Sequence, residues 1–382
     1  MRTKAISADS HIDMCWLPAK LFLDNASSAL RDRMPYVVDS PEGPKWTSNL
    51  GVNLGFVGGV GTTGWKFVSG RSQRVDAMAA EGLYSDAQNG ILRVSDPDLR
   101  VQAQIRDGLD GEVIYGVLGL TTRLRDAEAS LEVIRIYNDW LEQFCSRHPE
   151  RLLGLASIPS HEPDVAVAEI KRLKSFRYIR GLDVSAAAQR VPLYHPDWAP
   201  FWEAVSEINL PVSFHAFGLD MVDVTGFDEV SKKRAHAAAL VSAQMGRASR
   251  LVIDIIMGGV LERFPTVKVV FAEAGVGWLA HVLDRMDMLW EEEFQKGLGL
   301  PRPPSEYWRR QCATCFQNEK HAAKLIDIVG SDNIMWASDF PHPDGLWPDS
   351  QKFIKDQFWD LSPDLREKIT YGNAARLYGL TN

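Results

Sequence analysis

The sequence predicts an α/β protein folded as a (β/α)8 TIM barrel, with a Gly-rich insertion after the first strand. Two observations lead there. From Asp96 onward, helical and strand-like stretches alternate strictly, and the strands are largely apolar on both faces, as parallel strands covered by helices must be. Counted from Ile6, eight such strands appear, which is the number that closes a barrel. A doubly wound open sheet has the same periodicity and is the alternative fold. The 382 residues, 45% of them hydrophobic, suffice for a sizeable core. No linker, repeat or low-complexity run divides them, so one barrel domain over 1–382 is expected, with 19–96 inserted into it as a lid or cap.

The first strand is Ala5-Ile6-Ser7-Ala8-Asp9-Ser10-His11, short apolar residues running into a polar end before Cys15, Trp16, Leu17 and Pro18 turn the chain into a loop. Between Ala19 and Asp96 turn residues dominate, and Gly51–Gly70 holds seven glycines in twenty residues. No Gly-Lys-Ser/Thr sequence marks a phosphate loop there, so a segment packed over the site is the reading, with a plain surface excursion as the alternative. Asp96-Pro97-Asp98 opens a helix through Arg106 that Asp107-Gly108 ends. The strand Glu112–Tyr115 follows, then a helix over Ala127–Arg147 and the strand Leu152–Pro159. A helix near Pro163–Lys174 precedes the strand Ile179–Val184, and a helix over Trp198–Ile208 precedes Pro211–His215. Further on come a long helical section over Ser231–Phe264, the strand Val267–Gly275, a helix from Gly277 towards Glu292 and the strand Cys312–Phe316. A helix over Glu319–Val329, the strand Ile334–Asp339 and a closing helix over Pro363–Leu380 complete the count.

Composition excludes several classes of partner. The net charge of −8 comes from dispersed acidic residues, with no basic run to engage a nucleic acid or an anionic membrane. No stretch approaches the ~18 apolar residues of a membrane span, and Met1-Arg2-Thr3-Lys4 runs straight into the first strand without a signal segment. Four scattered cysteines suit reduced thiols, and the two-residue gap in Cys312-Ala313-Thr314-Cys315 puts the sulfurs on opposite faces of a strand. A cytoplasmic homo-oligomer acting on a small molecule is expected.

In a barrel the carboxyl ends of the strands share one rim, where active sites are built. Asp9 and His11 end the first strand, their side chains on one face by the period of two. His215 ends the fifth, Glu273 the sixth and Asp339 the eighth, with His342 just beyond. Imidazoles and carboxylates in this combination suit a divalent zinc, manganese or iron ion. Each has a plainer reading: His215 as a hydrogen-bonded core residue, Asp339 as a turn residue, Glu273 as an acceptor for the N–H groups opening the next helix. Trp65, Phe67, Phe217, Trp278 and Trp347 could line an aromatic pocket, although aromatics in such positions more often pack internally. The remaining histidines fall in helices or turns and are left out, with His236 and His281 nearest the rim segments.

Asp9-Ser10-His11, Leu210-Pro211-Val212-Ser213-Phe214-His215, Gly258-Gly259-Val260-Leu261-Glu262-Arg263-Phe264-Pro265, Glu273-Ala274-Gly275-Val276-Gly277-Trp278, Ala337-Ser338-Asp339-Phe340-Pro341-His342 and Gly372-Asn373-Ala374-Ala375-Arg376-Leu377-Tyr378 together resemble the amidohydrolase-related metal-dependent family of the amidohydrolase superfamily, which includes aminocarboxymuconate-semialdehyde decarboxylase-like and γ-resorcylate decarboxylase-like enzymes. The likeness runs from Ile6 to Tyr378 and omits Gly51–Gly70. It implies a (β/α)8 barrel with Asp9, His11, His215 and Asp339 as metal ligands. Two departures stand out. Many relatives carry His-x-His where this chain has Asp9 and His11, and the decarboxylase-like members carry a catalytic His at the position of Glu273.

The leading expectation is hydrolysis by a metal-activated water, with Asp339 as proton acceptor and Glu273 or His342 passing a proton to the leaving group. His342 could instead only orient a ligand. The alternative is a metal-dependent decarboxylase or C–C lyase in which Asp339 supplies the proton. A third reading is a non-haem iron oxygenase, with Glu273 as ligand to a second ion; the bland one is a non-catalytic barrel.

Overall fold

The computed structural model describes residues 2–185, 189–215, 223–242 and 246–380. In chain order the elements are β1 (Ile6–His11), α1 (Leu21–Asn25), β2 (Tyr36–Val38), β3 (Lys45–Thr47), β4 (Gly55–Phe56), α2 (Gln73–Ala80), α3 (Leu83–Gln88), α4 (Pro97–Asp107), β5 (Gly111–Tyr115), α5 (Leu118–Leu124), α6 (Ala127–Cys145), β6 (Leu152–Ile158), α7 (Pro163–Leu173), β7 (Ile179–Val184), α8 (Ala199–Ile208), β8 (Val212–Phe214), α9 (Glu229–Ser242), α10 (Ala248–Met257), α11 (Val260–Arg263), β9 (Val269–Phe271), α12 (Leu279–Leu289), α13 (Pro304–Gln311), β10 (Cys312–Phe316), α14 (Ala322–Val329), β11 (Ile334–Trp336), α15 (Ser350–Gln357), α16 (Pro363–Glu367) and α17 (Asn373–Leu377). The fold is a (β/α)8 barrel, its eight strands ordered β1-β5-β6-β7-β8-β9-β10-β11. All eight expected strands are present. No helix of the described residues is long and apolar enough to cross a membrane.

The chain divides into two units, one comprising Met1–Pro159, Arg172–Asp183 and Met335–Asn382, the other Ser160–Lys171 and Val184–Ile334. In the first unit β1 runs parallel to β5, with Ile6 opposite Gly111 and His11 opposite Tyr115, and the register shifts between Ser7 and Ser10. Such an irregularity re-aims side chains, here just before the polar end of the strand. The stretch after β11 joins β1 on its other edge: the Asp339 N–H donates to the Asp9 carbonyl at 2.9 Å and the His11 N–H to the Phe340 carbonyl at 2.7 Å. Beneath this seam the Ser7 hydroxyl accepts from the Ser338 N–H (2.8 Å) and from the Ser338 hydroxyl (2.9 Å).

Capping residues set α4 as expected. The Asp96 carboxylate accepts the Asp98 and Leu99 N–H groups, Pro97 opens the helix, and Gly108 ends it at φ +73°. Its last residue, Asp107, is buried and accepts the Ser350 N–H at 2.8 Å and the Ser350 hydroxyl at 2.5 Å, tying α4 to the start of α15. Burial pushes the Asp107 carboxyl up to about 7, against the pull of the two Ser350 bonds. Its pKa in an unfolded chain is ~3.9, so between these values the folded protein keeps a proton that the unfolded chain has released. The resulting stabilisation is complete at low pH and disappears as pH rises through about 7. The melting temperature of Asp107→Asn should therefore climb relative to the parent between pH 5 and 8. A constant offset across that range would show that Asp107 does not titrate there.

The insertion is more ordered than its sequence suggests. β2, β3 and β4 form an antiparallel sheet, with Val37 opposite Trp46 and Lys45 opposite Phe56, and the Trp46 side chain is buried beneath it. Strands of two or three residues are too short to display a period. The Gly58 N–H donates to the Cys15 carbonyl at 2.7 Å and the Ser72 hydroxyl to the Pro343 carbonyl at 3.4 Å. The segment thus lies against both the stretch after His11 and the loop after Asp339. Gly59-Val60-Gly61-Thr62-Thr63-Gly64 has the G-x-G-x-x-G spacing of dinucleotide-binding turns, yet here it makes a turn closed by a Val60–Trp65 bridge and opens no helix to receive a pyrophosphate. Glycine at 59 has a packing reason, because a Cβ there would lie 2.5 Å from the Gly64 carbonyl oxygen. Gly59→Ala should cost about 1–3 kcal/mol in chemical denaturation, as overpacking does; unchanged stability would mean that the turn yields freely.

In the second unit β8, β9 and β10 pair in parallel, Val212 and Cys312 both lying opposite Val269. The section expected as one helix over Ser231–Phe264 is three, α9, α10 and α11, with 243–245 outside the described residues and a break at Gly258 and Gly259, the latter at φ +72°. The closing helix of the first unit is likewise divided, a π-helical turn over Lys368–Gly372 separating α16 from α17.

Candidate metal centre

The end of β1 and the loop after β11 form a buried cluster in the first unit. His11 Nε2 lies 3.2 Å from Asp9 Oδ1 and 3.2 Å from Asp339 Oδ1. His342 Nδ1 is 3.2 Å from the same Asp339 oxygen, and its Nε2 is 2.8 Å from Asp13 Oδ2. The two imidazoles stack with centroids 3.8 Å apart and planes 16° from parallel. Asp9, His11, Asp13, Asp339 and His342 are each at most 6% exposed.

The donor set fits a divalent cation. His11, Asp339 and His342 each offer a ligand atom, all within 4.8 Å of one another. Asp339 Oδ2 is buried and accepts no hydrogen bond among the described residues. An ionised oxygen so placed is costly unless a cation meets it, and imidazole with carboxylate is a borderline-to-hard ligand set. The backbone carries strain here as well, since Asp339 sits at φ +54°, an arrangement that costs about 1–3 kcal/mol and gathers at functional sites.

The electrostatics follow from proximity. Burial alone would depress the His342 imidazole, but the Asp339 and Asp13 carboxylates outweigh it and raise it well above the usual histidine range. Burial opposes ionisation of Asp13 and of Asp339, yet His342 holds both carboxyls below their ordinary values, with His11 assisting.

In the second unit His215 follows β8 and Glu273 follows β9, with His215 Nε2 3.2 Å from Glu273 Oε2. Glu273 also has a left-handed backbone, φ +50°, and its N–H donates to Cys315 Sγ at 3.2 Å. The helix-start role considered for Glu273 is filled at Val276 and Gly277 by Glu319, whose two carboxylate oxygens accept those N–H groups at 2.8 Å each.

Every site residue expected from the sequence thus belongs to one of two groups, Asp9, His11, Asp339 and His342 in one unit, His215 and Glu273 in the other. Asp13 was missed, although it continues the Asp9-x-His11-x-Asp13 alternation one step past the strand. Glu319 carried no signal. The aromatic residues mostly pack internally: Phe67 stacks on Tyr84, Trp347 lies against Phe340 and donates to the Ala103 carbonyl, and the Trp278 indole donates to Ala274. Arg71 covers the Trp65 ring, and Phe217 lies outside the described residues. All four cysteines are buried and form no disulfide, and His236 and His281 are exposed on helices.

Fold and donor set define a (β/α)8-barrel enzyme with the makings of a metal centre at its strand ends. The chain belongs to the amidohydrolase family, whose model, described as Amidohydrolase, matches residues 93–380. It is 24% identical over 291 residues to a 2-amino-3-carboxymuconate-6-semialdehyde decarboxylase of Dictyostelium discoideum, covering 75% of this chain and 77% of that protein. Among solved structures, an amidohydrolase from Mycobacterium avium subsp. paratuberculosis superposes with a TM-score of 0.76 at 18% identity, covering 100% of this chain and 99% of that one. A dihydroxybenzoic acid decarboxylase from Polaromonas sp., solved with bound manganese, gives 0.62 at 19% identity, covering 81% and 95%.

Proposed function

We propose that this protein is a metal-dependent, non-oxidative decarboxylase of a small carboxylated substrate, aromatic or enoic. The observation that carries the reading is Asp339, a buried carboxylate with one oxygen facing two imidazoles and the other without a hydrogen bond among the described residues. The decarboxylase relatives favour this chemistry over hydrolysis by an activated water, the leading expectation from sequence. We take Asp9, His11 and Asp339 as ligands, with manganese favoured by the Polaromonas structure. Zinc or iron remains compatible with such donors. When bound, the ion supplies Lewis-acid polarisation of the substrate's carboxylate and of a neighbouring oxygen.

The chain's own residues account for the proton. Decarboxylation exchanges a carboxylate for hydrogen at one carbon, so an acid must deliver H⁺ there before or as CO2 departs with the cleaved bond's electrons left on carbon. Asp339 delivers it. His342, held by Asp13 on its Nε2 side, faces Asp339 through Nδ1 and can return a proton to it after each turnover. Glu273 orients His215 and stands where the decarboxylase-like members have an imidazole.

The test is a panel of hydroxybenzoic and aminomuconic acids incubated with manganese-loaded protein, with CO2 release and oxygen uptake followed together. Stoichiometric CO2 without oxygen uptake supports the reading. Oxygen consumption, or hydrolysis of esters and amides with no CO2 from any acid, overturns it.

A further inference from the structure

We infer that Arg100 is a positioning residue for the metal centre, fixing the separation between His11 and Asp339 from behind; this rests on the metal reading above. Arg100 lies on α4, between the insertion and the sheet, and is 0% exposed. A wholly buried guanidinium is expensive and persists only when its donors are matched. Its Nε pairs with Glu112 Oε2 at 2.6 Å, and the Gln104 amide donates to that same oxygen at 2.9 Å. The Ser10 hydroxyl meets the other Glu112 oxygen at 3.3 Å. The remaining donors reach backbone: Nη1 to the His11 carbonyl at 2.9 Å and the Val94 carbonyl at 3.3 Å, and Nη2 to the Phe340 carbonyl at 3.5 Å. The Phe340 ring lies 4.7 Å from the guanidinium carbon.

The two carbonyls explain the geometry. One belongs to His11 itself and the other to the residue after Asp339, so a single planar group spans the two segments that carry the ligands. Ordinary strand pairing cannot do this alone. The ladder between β1 and the stretch after β11 reaches the His11–Phe340 bond, where Pro341 follows and has no N–H to donate. The guanidinium supplies the next rung. A lysine ammonium would keep the charge opposite Glu112 but is a point donor, unable to hold both carbonyls with one plane.

The test measures manganese binding to metal-free protein by the electron paramagnetic resonance signal of free Mn²⁺, alongside thermal melts of the metal-free form. Arg100→Lys should weaken binding about 10–100-fold, the usual effect of removing a group that orients ligands, and lost activity should return as manganese is raised. Glu112→Gln, which keeps one acceptor oxygen for Arg100 and Gln104 but removes the guanidinium's charge partner, should weaken binding in the same direction by a smaller factor. It serves alone if the lysine variant does not fold. Lower melting temperatures with parental manganese affinity in the folded variants would show a merely structural role and overturn the inference. Absence of stoichiometric binding by the parent would overturn the metal reading instead.

Discussion

Asp339→Asn is expected to fold and to lose at least ~10²–10⁴-fold in turnover, the range for removing a proton-transfer group. The amide keeps the carboxylate's shape, so the seam to Asp9, made by the Asp339 backbone N–H, survives. What changes is charge and donor pattern. An NH2 group would occupy one of two positions, facing the His11 and His342 nitrogens or replacing the buried oxygen that has no hydrogen bond. In either orientation the carboxylate proposed to relay the proton is gone, and a proposed metal ligand has lost its charge. Removal of the Asp339 charge also takes away the largest influence raising the His342 imidazole. Steady-state assay with metal analysis of the same preparation checks this; near-parental turnover in a folded, metal-loaded variant would remove Asp339 from the chemistry.

Glu273→Gln is expected to retain metal and to lose ~10–100-fold in rate, the range for removing a group that orients a histidine at such a site. The substitution leaves the backbone bond to Cys315 Sγ untouched, and Gln tolerates the φ of +50° no worse than Glu. A helix-capping role at Val276 and Gly277 does not compete as an explanation, because Glu319 serves those N–H groups. The loss would come from the charge beside His215 Nε2. If Glu273 were instead a ligand to a second ion, metal analysis of the variant would fall by one equivalent. Full activity with full metal would assign it neither role.

Much of this was legible in the sequence, for identifiable reasons. Parallel strands buried on both faces read as continuous apolar runs, so all eight appear. Polar residues interrupting such runs at their ends, Asp9, His11, His215, Glu273 and Asp339, stand out against that background. What was not legible depends on contacts far along the chain. Arg100 and Glu112 look like ordinary charged residues until α4 packs against β5. Glu319 meets Val276 and Gly277 only after the turn between them folds. The small sheet of the insertion has strands too short for a period to emerge, and Gly258-Gly259 breaks a stretch rich in helix formers.

The seam joining β1 to the last strand spans 331 residues between Ser7 and Ser338, and this orders events during synthesis. At roughly 5–20 residues per second, a ribosome needs some tens of seconds after His11 emerges before Asp339 is even polymerised. Throughout that interval Asp9 and His11 lack the Asp339 oxygen that lies 3.2 Å from His11 in the folded protein. Assembly of the cluster therefore waits on nearly the whole chain, and a ribosome-bound chain stalled before Ser338 should lack any chelator-resistant metal that the complete protein binds.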